Sequence, residues 1–137
     1  MSYKLIDFIT LLFGELVAKY KLRVSSETYG EWMHESVMVE GDSIALSFEQ
    51  DNMSDSFYVN LLVKVDGELP NALSERRIIN IFYLGKALGW SDAPQEKDDL
   101  VIWLKQKLDS DYYSIFHPSE ELLKMALSLQ QRDQRST

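Results

Sequence analysis

Cysteine is absent from this 137-residue chain, which excludes a disulfide framework, a thiolate metal site and a cysteine nucleophile. Histidine is nearly absent: only His34 and His117 occur, so a zinc site would have to recruit distant carboxylates. No apolar run approaches the roughly 18 residues needed to cross a bilayer. No G-x-S-x-G, P-loop or glycine-rich turn after a strand is present, which removes the common signatures of acyl and phosphoryl transfer. Basic residues are scarce in one region above all. Residues 31–68 hold nine acidic side chains and one basic, Lys64. The flanking stretches are close to neutral, so this middle third carries the whole net charge of −8. Such a field repels nucleic-acid phosphates and anionic lipid and attracts basic partners.

What the chain does contain is the material of one domain. In MSYKLIDFITLLFGELVAKY the apolar positions Leu5, Phe8, Ile9, Leu12, Phe13, Leu16, Val17 and Tyr20 recur at helical spacing. Asp7 interrupts the run and no small-residue cleavage site follows, so the segment reads as a structural helix from about Ser2 to Tyr20 and not as a signal peptide. The expected location is cytoplasmic.

Four strands are expected next: residues 21–27, 31–40, 43–49 and 57–65. Gly41-Asp42 suits a tight hairpin, and Ile44, Leu46 and Phe48, then Phe57, Val59, Leu61, Val63 and Val65, alternate with small or polar residues. Asp66-Gly67 ends the fourth strand. Beyond Pro70 the pattern reads as helical throughout. One helix is capped by Ser74 and stopped by Gly89, and a short one over Leu100–Leu108 carries Asp98 and Asp99 at its N-terminus. A last helix from Pro118 or Ser119 has a stripe of Leu122, Leu123, Met125, Ala126 and Leu129. The expectation is an α+β domain: an N-terminal helix, a four-stranded antiparallel meander, and C-terminal helices packed on the sheet. It spans residues 1–131, with 132–137 as a frayed polar tail.

No catalytic residues, cofactor or metal site emerge. His34 and Glu35 are strand neighbours and point to opposite faces. EQDNMSD, residues 49–55, offers oxygens but lacks the EF-hand spacing and flanking helices, and reads as a solvated hairpin loop. If the helices cover the face of Ile44, Leu46 and Phe48, the other face is left partly open. It would carry small residues of one strand beside Tyr58 and Asn60 of the next, a shallow wet surface for a protein partner. Leu62, with Trp32 or Met38, would instead suit a face covered by a late helix. Glu49, Asp51 and Asp55 around the hairpin, with Tyr58 and Asn60 beside them, are the candidate partner-binding residues.

In layout, the opening helix followed by KLRVSSE, then ESVMVEGDSIALSFEQDNMSDSFYVNL, then helices, resembles small bacterial immunity proteins of contact-dependent inhibition and related polymorphic toxin systems. The resemblance spans roughly residues 1–105 and lies in element order, size and acidity. It implies a non-catalytic inhibitor whose acidic surface occupies the basic groove of a toxin such as a nuclease. It carries no individual residue role. A dimeric structural or adaptor domain is the alternative, with a homodimer as its form, and a carboxylate enzyme is a third reading. Neither nucleic acid nor a membrane is an expected partner.

Overall fold

The computed structural model describes residues 4–30, 33–70, 77–90 and 93–135. Helix α1 (Leu5–Tyr20) leads into β1 (Arg23–Tyr29), β2 (His34–Glu40), β3 (Ile44–Asp51) and β4 (Ser56–Val63). A short β5 (Ile78–Asn80) follows, then α2 (Ile81–Ala87), α3 (Lys97–Phe116) and α4 (Glu120–Arg135). The five strands form one antiparallel meander in the order β1-β2-β3-β4-β5. The domain is α+β as its sequence implies.

Period-2 alternation decides which face is buried. Val37 pairs with Phe48 and Phe48 with Val59; Val39 pairs with Leu46, Leu46 with Leu61 and Leu61 with Ile79. All of these are buried. Leu5, Ile9, Phe13 and Leu16 of α1 join them, with the Phe13 and Phe48 rings 5.6 Å apart. Leu100, Val101, Leu104 and Leu108 of α3 complete the same core. Each large side chain fully buried here contributes about 1.5–3 kcal/mol.

One residue on this apolar face is charged, and it has a structural task. The buried Glu35 points toward α1 and accepts a hydrogen bond from the Leu5 amide at 3.0 Å. It thereby satisfies an otherwise orphaned N–H at the positive end of the helix. Its second oxygen accepts from Asn52 Nδ2 at 3.2 Å. His34 and Glu35 therefore do face opposite ways.

The fifth strand corrects the expectation of helix throughout residues beyond Pro70. The β-branched pair Ile78-Ile79 extends along β4, and Asn80 then turns the chain. Its Oδ1 accepts from the Phe82 amide at 2.9 Å and caps α2. Ser74, expected as that cap, and Ser2, expected as the start of α1, lie outside the described residues, as does Trp32. Gly89 ends α2 as its position suggested. At φ +77° it lets the Trp90 amide reach Gly85 O at 2.9 Å and its own amide reach Lys86 O at 3.1 Å, a Schellman pair.

Helix α3 is longer than its apolar stripe indicated and continues to Phe116 through non-helical backbone at Asp111. Tyr112 lies between the rings of Tyr20 (3.5 Å) and Phe116 (4.8 Å), so these aromatics fasten α3 to α1. In α4 the Ser119 hydroxyl accepts from the Leu122 amide. Ala126 is buried and Met125, expected on the stripe, is exposed. The polar residues 132–135, expected to fray, lie within the helix, where Asp133 accepts from the Tyr83 hydroxyl at 2.9 Å.

Candidate functional site

Antiparallel register places the sequence's candidate residues on the sheet face away from the core. The Cα partners Glu27, Ser36, Glu49 and Tyr58 form one row across four strands. Ser25, Met38, Ser47, Asn60 and Asn80 form the next. Tyr58 lies directly opposite Glu49, and Asn60 opposite Ser47. Asp51 closes the β3–β4 hairpin against Ser56, and Asp55 sits at its tip with φ +54°.

Glu49 departs from the expectation of a solvated loop charge. Its side chain is only 19% exposed. Oε2 meets His34 Nε2 at 2.7 Å, and Oε1 accepts from the Ser36 and Ser47 hydroxyls at 2.9 and 2.8 Å. The carboxylate is thus the fixed centre of a polar network spanning β2 and β3. Both serines donate to the carboxylate and neither to the imidazole, so His34 is not placed to activate them as nucleophiles. His117 lies at the C-terminus of α3, stacked on Tyr113. Among the described residues, no group of three His, Asp or Glu side chains is placed to hold a metal ion.

The hairpin tip is ordered by its own acid. Asp51 Oδ1 accepts from the amides of Met53 and Ser54 at 2.9 and 3.3 Å, and those N–H groups hold its carboxyl below the ordinary value. Tyr58 is 40% exposed. Partial burial first, then the charges of Glu49 and Asp51, push its hydroxyl above the usual tyrosine value, so it stays a neutral donor.

Carboxylates from a remote part of the chain join this end of the sheet. Asp55 shares a groove of about 480 Å³ with Glu96 and Asp98 at the start of α3. Lys97 lies within that rim, and its ammonium donates to Gln50 Oε1 at 3.2 Å. On the β5 side, Tyr58 and Asn60 line a second groove of about 740 Å³ whose opposite wall is α4, through Gln130, Gln131 and Gln134. A late helix therefore flanks the face along one side, leaving Tyr58 exposed. Leu62 is buried on this face and Met38 half-buried.

A second network closes the opposite end. Lys64, its side chain 4% exposed, meets Glu40 at 2.5 Å and donates to Gly41 O at 2.8 Å. It crosses β3 beside the fully buried Ala45. Arg23 meets the same Glu40 oxygen at 2.9 Å. Lys64 first, then Arg23, hold the Glu40 carboxyl below its ordinary 4.5. Since the folded value is the lower one, the stabilisation is fully present above the unfolded value and is lost as pH falls through the folded one. Glu40→Gln is expected to flatten the loss of stability that wild type shows below about pH 4.5. Urea midpoints across pH 3–7 would check this, and parallel curves for the two proteins would refute it.

No family model matches the chain, and no solved structure matches it. A 51-residue stretch is 37% identical to "NACHT, LRR and PYD domains-containing protein 12" of Mus musculus, covering 37% of this chain and 5% of that protein. The chain thus spans about one-twentieth of the relative's length, too little to assign a family or an activity.

Proposed function

We propose that this chain is a non-catalytic protein-binding inhibitor, an immunity protein that neutralises a basic toxin through the hairpin end of its open sheet face. The observation that carries the reading is the meeting of acids from separate regions at the hairpin end of the sheet, with the exposed Tyr58 on the open face next to it. Asp51 and Asp55 come from the hairpin and Glu96 and Asp98 from the start of α3, with Glu49 fixed opposite Tyr58. A pre-ordered acidic rim speeds encounter with a basic protein. Tyr58, on the open face beside this rim, supplies a large, rigid contact at small entropic cost.

The cognate toxin is expected to be encoded beside this gene. The direct test is whether co-expression of the chain restores growth to cells making that toxin's catalytic domain, and whether the purified pair binds in a salt-sensitive manner. In such a complex Tyr58→Ala is expected to raise the dissociation rate about tenfold or more, the scale of a hot-spot truncation, with the association rate little changed. Surface-based binding kinetics would show this, and an unchanged dissociation rate would move the contact off this face. A carboxylate enzyme is less well supported, because Glu49 is saturated by three donors and the hairpin's Asp51 by two amides.

A further inference from the structure

The two edges of the sheet are treated differently. At β5 the outward backbone groups are closed by a side chain: Gln130 Oε1 accepts from the Asn80 amide at 2.8 Å and its Nε2 donates to Ile78 O at 3.0 Å. The Gln130 amide thus stands in for the next strand. At the other edge, β1 is exposed along all seven of its residues, and no strand among the described residues pairs with its outer side. It pairs with β2 without a bulge from Arg23 to Tyr29 and contains no proline. Natural proteins normally blunt an edge of this length with such devices, because its free N–H and C=O groups are a template for another strand.

We propose that β1 is a dimerisation edge: two copies of this chain pair β1 to β1, antiparallel about Ser26, joining both sheets into one. The occupant follows from the sequence of the strand itself. In RVSSETY, a dyad at Ser26 sets Val24 opposite the partner's Thr28, Ser25 opposite the partner's Glu27 and Arg23 opposite the partner's Tyr29. Arg23 then lies diagonally next to the partner's Glu27, within reach of long side chains, and the contact occurs twice. Arg23 is well exposed and meets Glu40 through a single guanidinium nitrogen, so its guanidinium retains donors for the partner. The pairing also covers Val24 and Tyr29, which are 36% and 53% exposed. Finally, β1 itself is neutral, with Arg23 and Glu27 its charged residues, in a chain of net −8, so two copies can approach at this edge without a net charge on either strand. The inference stands apart from the inhibitor reading, because it uses the opposite edge of the sheet from α4.

The test is light scattering on the full chain together with cysteine cross-linking, which a cysteine-free protein permits cleanly. Wild type is expected at twice 15.9 kDa at micromolar concentration. Ser26→Cys is expected to form a disulfide-linked dimer under mild oxidation, because residues directly opposite in a sheet lie within disulfide reach. Thr28→Cys is expected not to, because its own copy lies roughly 14 Å away across the dyad. Glu27→Arg turns both diagonal attractions into repulsions and is expected to weaken the dimer by about tenfold. A wild type that stays monomeric at about 100 µM overturns the proposal. So does a dimer that Ser26→Cys does not cross-link, cross-linking at residue 28 as fast as at 26, or a Glu27→Arg dimer of unchanged affinity. Growth rescue by a wild-type chain that stays monomeric would leave the inhibitor reading standing while this one falls.

Discussion

Glu49→Ala is expected to lower the stability of the isolated protein by about 2–4 kcal/mol. The carboxylate is the acceptor for both the Ser36 and Ser47 hydroxyls and faces His34. Ser47 is buried, so its hydroxyl cannot exchange the lost partner for bulk water, and an orphaned buried polar group costs about 1–3 kcal/mol. The loss of contact with Ser36 and His34 adds a smaller amount, because both are partly accessible. Glu49→Gln keeps an acceptor oxygen for the serines and is expected to cost about 1 kcal/mol. The measurement is urea unfolding at pH 7, with unchanged slope and shifted midpoint. If Glu49→Ala stays within about 0.5 kcal/mol of wild type, the residue behaves as an ordinary surface charge and the network is decorative.

This expectation was not available from the residue types alone, although the means of reaching it were in the chain. Glu49 lies in an acidic stretch next to a polar loop, and its local context is that of a solvated rim. What changes its character is the partner strand, 13 and 15 residues away at Ser36 and His34. The Gly41-Asp42 connection sets the register: once Glu40 pairs with Ala45, Ser36 must face Glu49. Carrying the hairpin register through to its far end would have exposed the cluster. The strands themselves were legible, because period-2 alternation depends only on near neighbours: Ile44, Leu46, Phe48, Val59 and Leu61 are buried as expected, while Phe57 and Val63 are half-buried and Val65, beyond the end of β4, is exposed. Strand β5 was not, because three residues are too few for a period and the neighbouring apolar run suits a helix equally well. Asn80 is the signal in the sequence, a capping residue that separates Ile78-Ile79 from the helix beyond. The contribution of Glu96 and Asp98 to the acidic rim was not legible either. Nothing local links the start of α3 to a hairpin more than 40 positions earlier; only packing on the common core brings them together.

Because Glu49 supports the fold, reversing its charge would confound binding with stability, and the recognition surface is better tested by isosteric neutralisation elsewhere. In Asp51→Asn/Asp55→Asn/Glu96→Gln/Asp98→Asn the four charges are removed while shape is retained. Asn at 51 keeps the Oδ1 that accepts from Met53 and Ser54. Asn at 55 tolerates the left-handed backbone there, φ +54°. The variant is expected to fold with stability near wild type, and to associate with its basic partner roughly 10- to 100-fold more slowly at low salt. The dissociation rate should change far less, since rim charges act on encounter more than on the docked complex. Raising ionic strength screens exposed charges beyond about 10 Å at 0.1 M, so the two proteins should converge as salt increases. Tyr58→Ala should show the opposite signature, with a faster dissociation that salt does not correct. Stopped-flow binding at two or more ionic strengths separates the two effects. An unchanged association rate and salt slope in the quadruple variant would reduce the acidic rim to a solubility device and place the partner on another surface.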